Sequence, residues 1–142
     1  MDRCVLETER VFPPAPGNFR GAKEDFVYEG VAIPAGASIF YDAIATNHDP
    51  YVYGDDAHEW KPSRWEKEGS SRARLFSRVS FGAGFRNCPG QGFAKLNMKV
   101  FLTQLFRLYD LALLADQDLT CKYAPSLKFR SGVSVTFQKR KV

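Results

Sequence analysis

The sequence predicts a mixed α+β chain: one long buried helix after a glycine-punctuated loop, the end of another helix, small antiparallel sheets and an extended irregular segment. Three observations carry this expectation. Gly92 to Tyr109 is apolar over most of a helical circumference. Short β-rich runs are separated by Pro and Gly turn signals before and after it. The stretch from Tyr51 to Val79 is rich in Trp, Pro, Asp and Arg and follows neither period.

Met1 to Val11 reads as the end of a helix, stopped by Pro13-Pro14-Ala15-Pro16-Gly17. Phe26-Val27-Tyr28 and Ala37-Ser38-Ile39-Phe40-Tyr41 are strand-like, with Glu29-Gly30 and Pro34-Ala35-Gly36 as turns. A short helix over Asp42 to Asn47 ends before Asp49-Pro50. Tyr51 to Val79 is expected to be irregular, and a connection of that length is uncommon unless it has a function. In the long helix Lys95, Lys99, Thr103 and Arg107 recur every four residues as a narrow polar lane. Leu96, Met98, Val100, Phe101, Leu102, Leu105 and Phe106 cover most of the rest, the pattern of a central helix. Leu111 to Leu114 and Val133 to Phe137 read as strands, with a hairpin or loop over Pro125 to Gly132.

A chain of 142 residues with 44% hydrophobic residues is one domain by length, with a modest core. Its net charge of +4 suits an acidic protein partner, an anionic surface or nucleic acid, but a solvated surface accounts for most of it and no nucleic-acid partner is expected. The basic residues bunch at Arg72, Arg74, Arg78, Arg86, Lys95 and Lys99, which suggests a docking face. Cys4, Cys88 and Cys121 are widely spaced with no CxxC pair, as suits unpaired thiols in a reducing, intracellular compartment. No run of about eighteen apolar residues is present. Met1-Asp2-Arg3-Cys4 does not read as a signal peptide.

The chemistry concentrates in Phe81-Gly82-Ala83-Gly84-Phe85-Arg86-Asn87-Cys88-Pro89-Gly90. A thiolate needs a positive environment, and Cys88 has Arg86 two residues away and the amides of the following helix beyond it. Gly84 and Gly90 allow tight turns and close approach to a flat ligand. Phe81 and Phe85 are placed to shield the sulfur from water. A lone cysteine ahead of a helix is ordinarily structural, and so is an i, i+3 pair such as Glu7 and Arg10, worth about 0.3 kcal/mol on a surface. Arg64, in Pro62-Ser63-Arg64-Trp65, would alone be a surface loop residue.

Together these segments change the reading. Phe81, Gly84, Arg86, Cys88 and Gly90 fill every fixed position of Phe-x-x-Gly-x-Arg-x-Cys-x-Gly, and the chain resembles the cytochrome P450 family of haem-thiolate monooxygenases. Glu7-x-x-Arg10 resembles the family's Glu-x-x-Arg motif. Pro62-x-Arg64-Trp65 resembles its Pro-Glu-Arg-Phe/Trp motif, with Ser63 where Glu is usual. The resemblance implies haem b, iron protoporphyrin IX, with Cys88 as the iron ligand. It implies Arg86 and Arg20 as partners of the haem propionates, Phe81, Gly84 and Gly90 as shapers of the loop, and a buried ion triad of Glu7, Arg10 and Arg64. His48, in a His-x-Asp-Pro-like stretch, is read as a turn or capping residue and His58 as solvated; two lone histidines give no metal site.

The implied activity is oxidation of a small apolar organic substrate with dioxygen and electrons from a reductase- or ferredoxin-type protein. The likeness covers residues 1–142 and only the C-terminal, haem-binding part of a mainly helical parent fold, an incomplete domain. The helix with the family's acid–Thr oxygen-activation pair is absent from these residues, and no catalytic residue beyond the thiolate ligand is assigned. Ala15 to Phe19 and Leu127 to Ser131 correspond to substrate-contact regions, and the loop and following helix resemble the retinoid- and carotenoid-type branch. Alternatives are a stand-alone small haem-binding module, an inactive truncated fragment, a non-haem interaction domain, or isomerase or peroxide-using chemistry within the family. Substrate, regiochemistry and membrane anchoring stay open.

Overall fold

The computed structural model describes residues 1–66 and 78–141. The chain opens with α1 (Asp2–Val11), then β1 (Gly17–Gly21), β2 (Phe26–Tyr28), β3 (Val31–Ile33) and β4 (Ser38–Asp42). Two short helices follow, α2 (Ala43–Asn47) and α3 (Pro50–Tyr53), and 3₁₀ turns at Pro62–Trp65 and Gly84–Arg86. The 18-residue helix α4 (Gln91–Leu108) leads into β5 (Tyr109–Leu113), β6 (Cys121–Tyr123), β7 (Leu127–Phe129) and β8 (Val135–Lys139).

The strands form four two-stranded antiparallel ribbons, β1–β4, β2–β3, β5–β8 and β6–β7. β2 and β3 join through Glu29-Gly30, both at positive φ, the conformation that a two-residue hairpin turn demands. Asp42 ends β4 and caps α2, its carboxylate accepting from the amides of Ile44 and Ala45. Asp49 does the same for Tyr51, with Pro50 opening α3. The mixed α+β class is as the sequence predicts.

Some local expectations are corrected. Gly17–Gly21, given no element from the sequence, is a strand because it pairs with β4 from Gly17↔Asp42 to Gly21↔Ser38. The irregular segment contains α3 and the first 3₁₀ turn, both opened by proline. The hairpin expected near Pro125 is β6–β7 and begins earlier, at Cys121.

The largest correction concerns α4. None of its residues is buried; Phe93 is 76% exposed, Leu96 61% and Phe101 63%. An apolar helix is buried all round only when it has neighbours on every side, and here, among the described elements, α4 packs chiefly against α1 and the β5 strand that follows it. Moreover, the polar lane turns inward. Lys95 Nζ lies 3.4 Å from Glu9, Lys99 Nζ 2.7 Å from Asp2, and Thr103 donates to Met1 Sδ at 3.5 Å. Opposite charges on α1 draw Lys95 and Lys99 onto it beside half-buried Met98, Leu102 and Leu105, and Phe93, Leu96, Val100, Phe101 and Phe106 face out.

The interior is correspondingly polar. Among the described residues the buried apolar side chains are Val5, Ala43 and Ala57, with Pro13, against Glu7, Glu9, Arg10 and Asn47. No described helix is long and apolar enough to cross a membrane.

Candidate functional site

α1 puts Glu7 and Arg10 on one face, one turn apart, and both side chains are fully buried. Arg10 grips Glu7 through two parallel bonds, Nε to Oε2 at 3.0 Å and Nη2 to Oε1 at 2.8 Å. Arg64, at the 3₁₀ turn, donates from Nε to the same Oε1 at 3.2 Å. The three residues named from the sequence are therefore in direct contact. Two further donors reach the carboxylate, the Lys61 amide at 2.9 Å and the Trp65 indole Nε1 at 2.9 Å. Burial alone would raise the Glu7 pKa; hydrogen bonds from Arg10, Lys61 and Trp65 outweigh it and hold the carboxyl below its usual range.

The arginines also gather backbone carbonyls. Arg10 Nη1 donates to Asn47 O at 2.8 Å and Ala57 O at 2.5 Å, and Nη2 to Glu59 O at 2.8 Å. Its guanidinium lies 4.7 Å from the centre of the Tyr53 ring. Arg64 binds Tyr53 O at 3.0 Å, Asp56 O, and the Asp56 carboxylate at 2.6 Å. Lys61 and Arg64 together bring the Asp56 pKa down to about 2.

From this cluster a hydrogen-bonded route leads to the cysteine loop. Asn47 is buried; its Nδ2 donates to Arg10 O at 3.1 Å and to Ser80 Oγ at 2.9 Å, and its Oδ1 accepts from the Val79 amide at 3.0 Å. Ser80 Oγ donates to Glu9 O at 2.5 Å. The Gly82 amide then bonds Val79 O at 2.8 Å, and the Cys88 amide bonds Phe81 O at 2.8 Å, closing the loop. Gly82 and Gly84 both sit at positive φ, and a Cβ on Gly82 would stand 3.3 Å from the Tyr41 hydroxyl. Only glycine suits that crowded position.

Cys88 is exposed, just ahead of the first residue of α4, where free helix amides carry partial positive charge. Phe81 is half-buried, with Lys95 Nζ 5.6 Å from its ring centre. Phe85, expected to shield the sulfur, projects fully into solvent, because the 3₁₀ turn at Gly84–Arg86 carries it outward. Gly90 precedes α4 at its N-cap. Arg86 is exposed and has no ion pair or hydrogen bond among the described residues.

Arg20 is half-buried. It donates to Phe19 O at 2.8 Å, stacks 5.5 Å from the Tyr41 ring, and lines a cavity of about 230 Å³ with Tyr41, Thr46, Val79 and Ala83. Ala83 belongs to the cysteine loop, so a cation and the loop border one cavity. Leu127 N–H bonds Pro14 O at 2.7 Å, which ties the second expected substrate-contact region to the residue just before the first.

Of the basic residues expected to form a docking face, Arg78 is paired with Glu9 at 2.5 Å, Lys95 with Glu9, and Lys99 with Asp2. Arg72 and Arg74 lie outside the described residues. Sequence reasoning missed Asn47, Trp65 and Glu9. Glu9 is buried with one oxygen unpartnered among the described residues. Its only sequence signal was its place on the same short helix as Glu7 and Arg10.

An exposed thiol on a glycine-turned loop at a helix N-terminus, with an arginine-lined cavity bordered by the same loop, fits the donor set that a thiolate-ligated planar cofactor with anionic arms requires. The comparisons with known proteins bear on the family. The family described as Cytochrome P450 matches residues 1–136. The chain is 34% identical over 136 residues to the putative cytochrome P450 120 of Synechocystis sp., across 95% of the chain and 30% of that protein. It is 38% identical over 103 residues to cytochrome P450 26A1 of Danio rerio, across 72% of the chain and 21% of that protein. It superposes on the retinoic acid-bound cyanobacterial CYP120A1 with a TM-score of 0.88 at 31% identity, across 98% of the chain and 32% of that structure. The chain belongs to the cytochrome P450 family, whose members carry haem. It spans roughly a fifth to a third of the length of these relatives.

Proposed function

We propose that these residues are the haem-thiolate part of a larger monooxygenase domain, with Cys88 as the ligand of haem b iron. The observation that carries this is the exposed Cys88 thiol on a loop tied by Cys88 N–H to Phe81 O and wired through Asn47 to a buried ion cluster. When bound, the haem supplies reductive activation of dioxygen and insertion of one oxygen atom into an organic substrate.

The chain's own residues hold and orient. Cys88 offers a soft anionic ligand beside helix amides. Arg20 offers a cation to a propionate from the cavity it shares with Ala83, and Arg86 a second from the loop. The Glu7–Arg10–Arg64 cluster fixes the segments that support the loop. Electrons come from a reductase- or ferredoxin-type protein. The retinoic acid of the structural relative supports an elongated apolar substrate of the retinoid kind.

The test is the absorption spectrum of the chain with haem, reduced and exposed to carbon monoxide, beside Cys88→Ala. A strongly red-shifted Soret band that the substitution abolishes is expected. A band that survives in Cys88→Ala refutes the ligand assignment.

A further inference from the structure

We propose that His48 and His58 form a two-imidazole site for a first-row divalent transition-metal ion such as Ni²⁺, Cu²⁺ or Zn²⁺. The two residues lie on different segments, one ending α2 and one in the turn before Trp60, yet their rings stack with centres 5.2 Å apart and planes within 16°. They line an open cleft of about 660 Å³ with Ile44, Thr46, Asp49 and Pro50.

The hydrogen bonding of His48 prepares it as a ligand. Its Nδ1 lies 2.9 Å from Ile44 O. A carbonyl only accepts, so Nδ1 carries the proton and Nε2 keeps a free lone pair. A metal-ligating histidine is ordinarily held this way, with its other ring nitrogen donating to an oxygen. His58 is exposed and has no hydrogen bond among the described residues, so its ring is free to turn toward a metal–nitrogen distance of about 2.0–2.1 Å. Asp49, at the cleft wall, is engaged through Oδ1 by the Tyr51 amide and adds a negative charge to the cleft lining.

Among the described residues no three His, Cys, Asp or Glu side chains stand together as a closed metal centre. The site therefore has two protein ligands and water in its other positions, and it loads reversibly. Imidazole selects nickel, copper and zinc over magnesium or calcium.

The position gives the site a consequence. Arg10 clasps the carbonyls of Asn47, Ala57 and Glu59 from within. Asn47 adjoins His48, and Ala57 and Glu59 flank His58, so a metal on the imidazoles bridges from outside the same segments that Arg10 bridges from inside. An ion that binds only the folded arrangement stabilises it by mass action.

The experiment is a calorimetric Ni²⁺ titration and thermal unfolding of the full 142-residue chain, beside His58→Ala and His48→Gln, in buffer and in unfolding urea. One saturable Ni²⁺ per chain is expected, weakened about tenfold or more in either variant, with Cu²⁺ tighter than Ni²⁺ or Zn²⁺. The unfolding midpoint should rise with metal for the unsubstituted chain only. The three free thiols are common to all the chains and cancel in the difference. The absence of a saturable site, unchanged binding in His58→Ala, or equal affinity in unfolding urea would each overturn the proposal.

Discussion

Replacing Glu7 by alanine removes the acceptor of five hydrogen bonds at once: two from Arg10 and one each from Arg64, the Lys61 amide and the Trp65 indole. Arg10 is then a fully buried cation and Arg64 an 11% exposed one. Leaving buried charge without its partner costs about 3–5 kcal/mol. Arg10 keeps its three carbonyl acceptors and Arg64 keeps Asp56, which argues against a larger loss. The total stability of a domain is about 5–15 kcal/mol, so this one change removes a large part of it. Glu7→Gln keeps the volume and one accepting oxygen but turns an NH₂ toward other donors. It is expected to fall between the two, near 1–3 kcal/mol for the donors left unsatisfied. The assay is the denaturant midpoint together with haem content after reconstitution. Glu7→Ala is expected to abolish haem incorporation. If it leaves midpoint and haem content at the unsubstituted values, the cluster does not organise the support of the loop and the reasoning fails.

Acid should act through the same group. The folded Glu7 carboxyl is held below its unfolded value, so its contribution is present above about pH 4.3 and is lost as pH falls through the lower, folded value. Asp56, held at about 2, extends the loss in the same direction. Circular dichroism against pH should show unfolding that sets in below about pH 4, with a flatter acid limb in Glu7→Gln; identical limbs would contradict this. Asn47→Ala should strip the Val79 amide of its partner at a cost of about 1–3 kcal/mol. Hydrogen exchange should then quicken at the Val79 and Cys88 amides while β5–β8 stays protected, and uniform quickening would indicate global unfolding instead.

What was legible in the sequence follows from range. The i, i+3 spacing of Glu7 and Arg10, the apolar density of α4 and the turn at Glu29-Gly30 are local and were read from the residues. Arg64 was reachable only through the resemblance, because the bond that brings it to Glu7 spans 57 positions. Asn47 reads as an ordinary polar helix end, and nothing within a few residues announces that it joins Arg10, Val79 and Ser80. Glu9 reads as a surface charge until Arg78, 69 positions away, covers it. The polar lane of α4 misleads for the same reason: periodicity gives a helix its faces, and the acids of α1 are what bring Lys95 and Lys99 toward the interior.

Those distant bonds also explain how an exposed thiol is kept in place. Cys88 is exposed, and among the described residues few apolar side chains are buried. Packing is non-directional and tolerates exchange of similar volumes, whereas a hydrogen bond fixes distance and angle together. The route from Glu7 and Arg10 through Asn47 to Val79 and Ser80, and on to Phe81, Gly82 and Cys88, consists of such bonds. Its buried end is anchored by charges that are costly to misplace, and its exposed end carries the Cys88 thiol. A volume change at solvent-facing Phe85 should leave that geometry untouched, while loss of a single polar atom at Asn47 should not. The sulfur is positioned by the polar interior behind it rather than by an apolar shell around it.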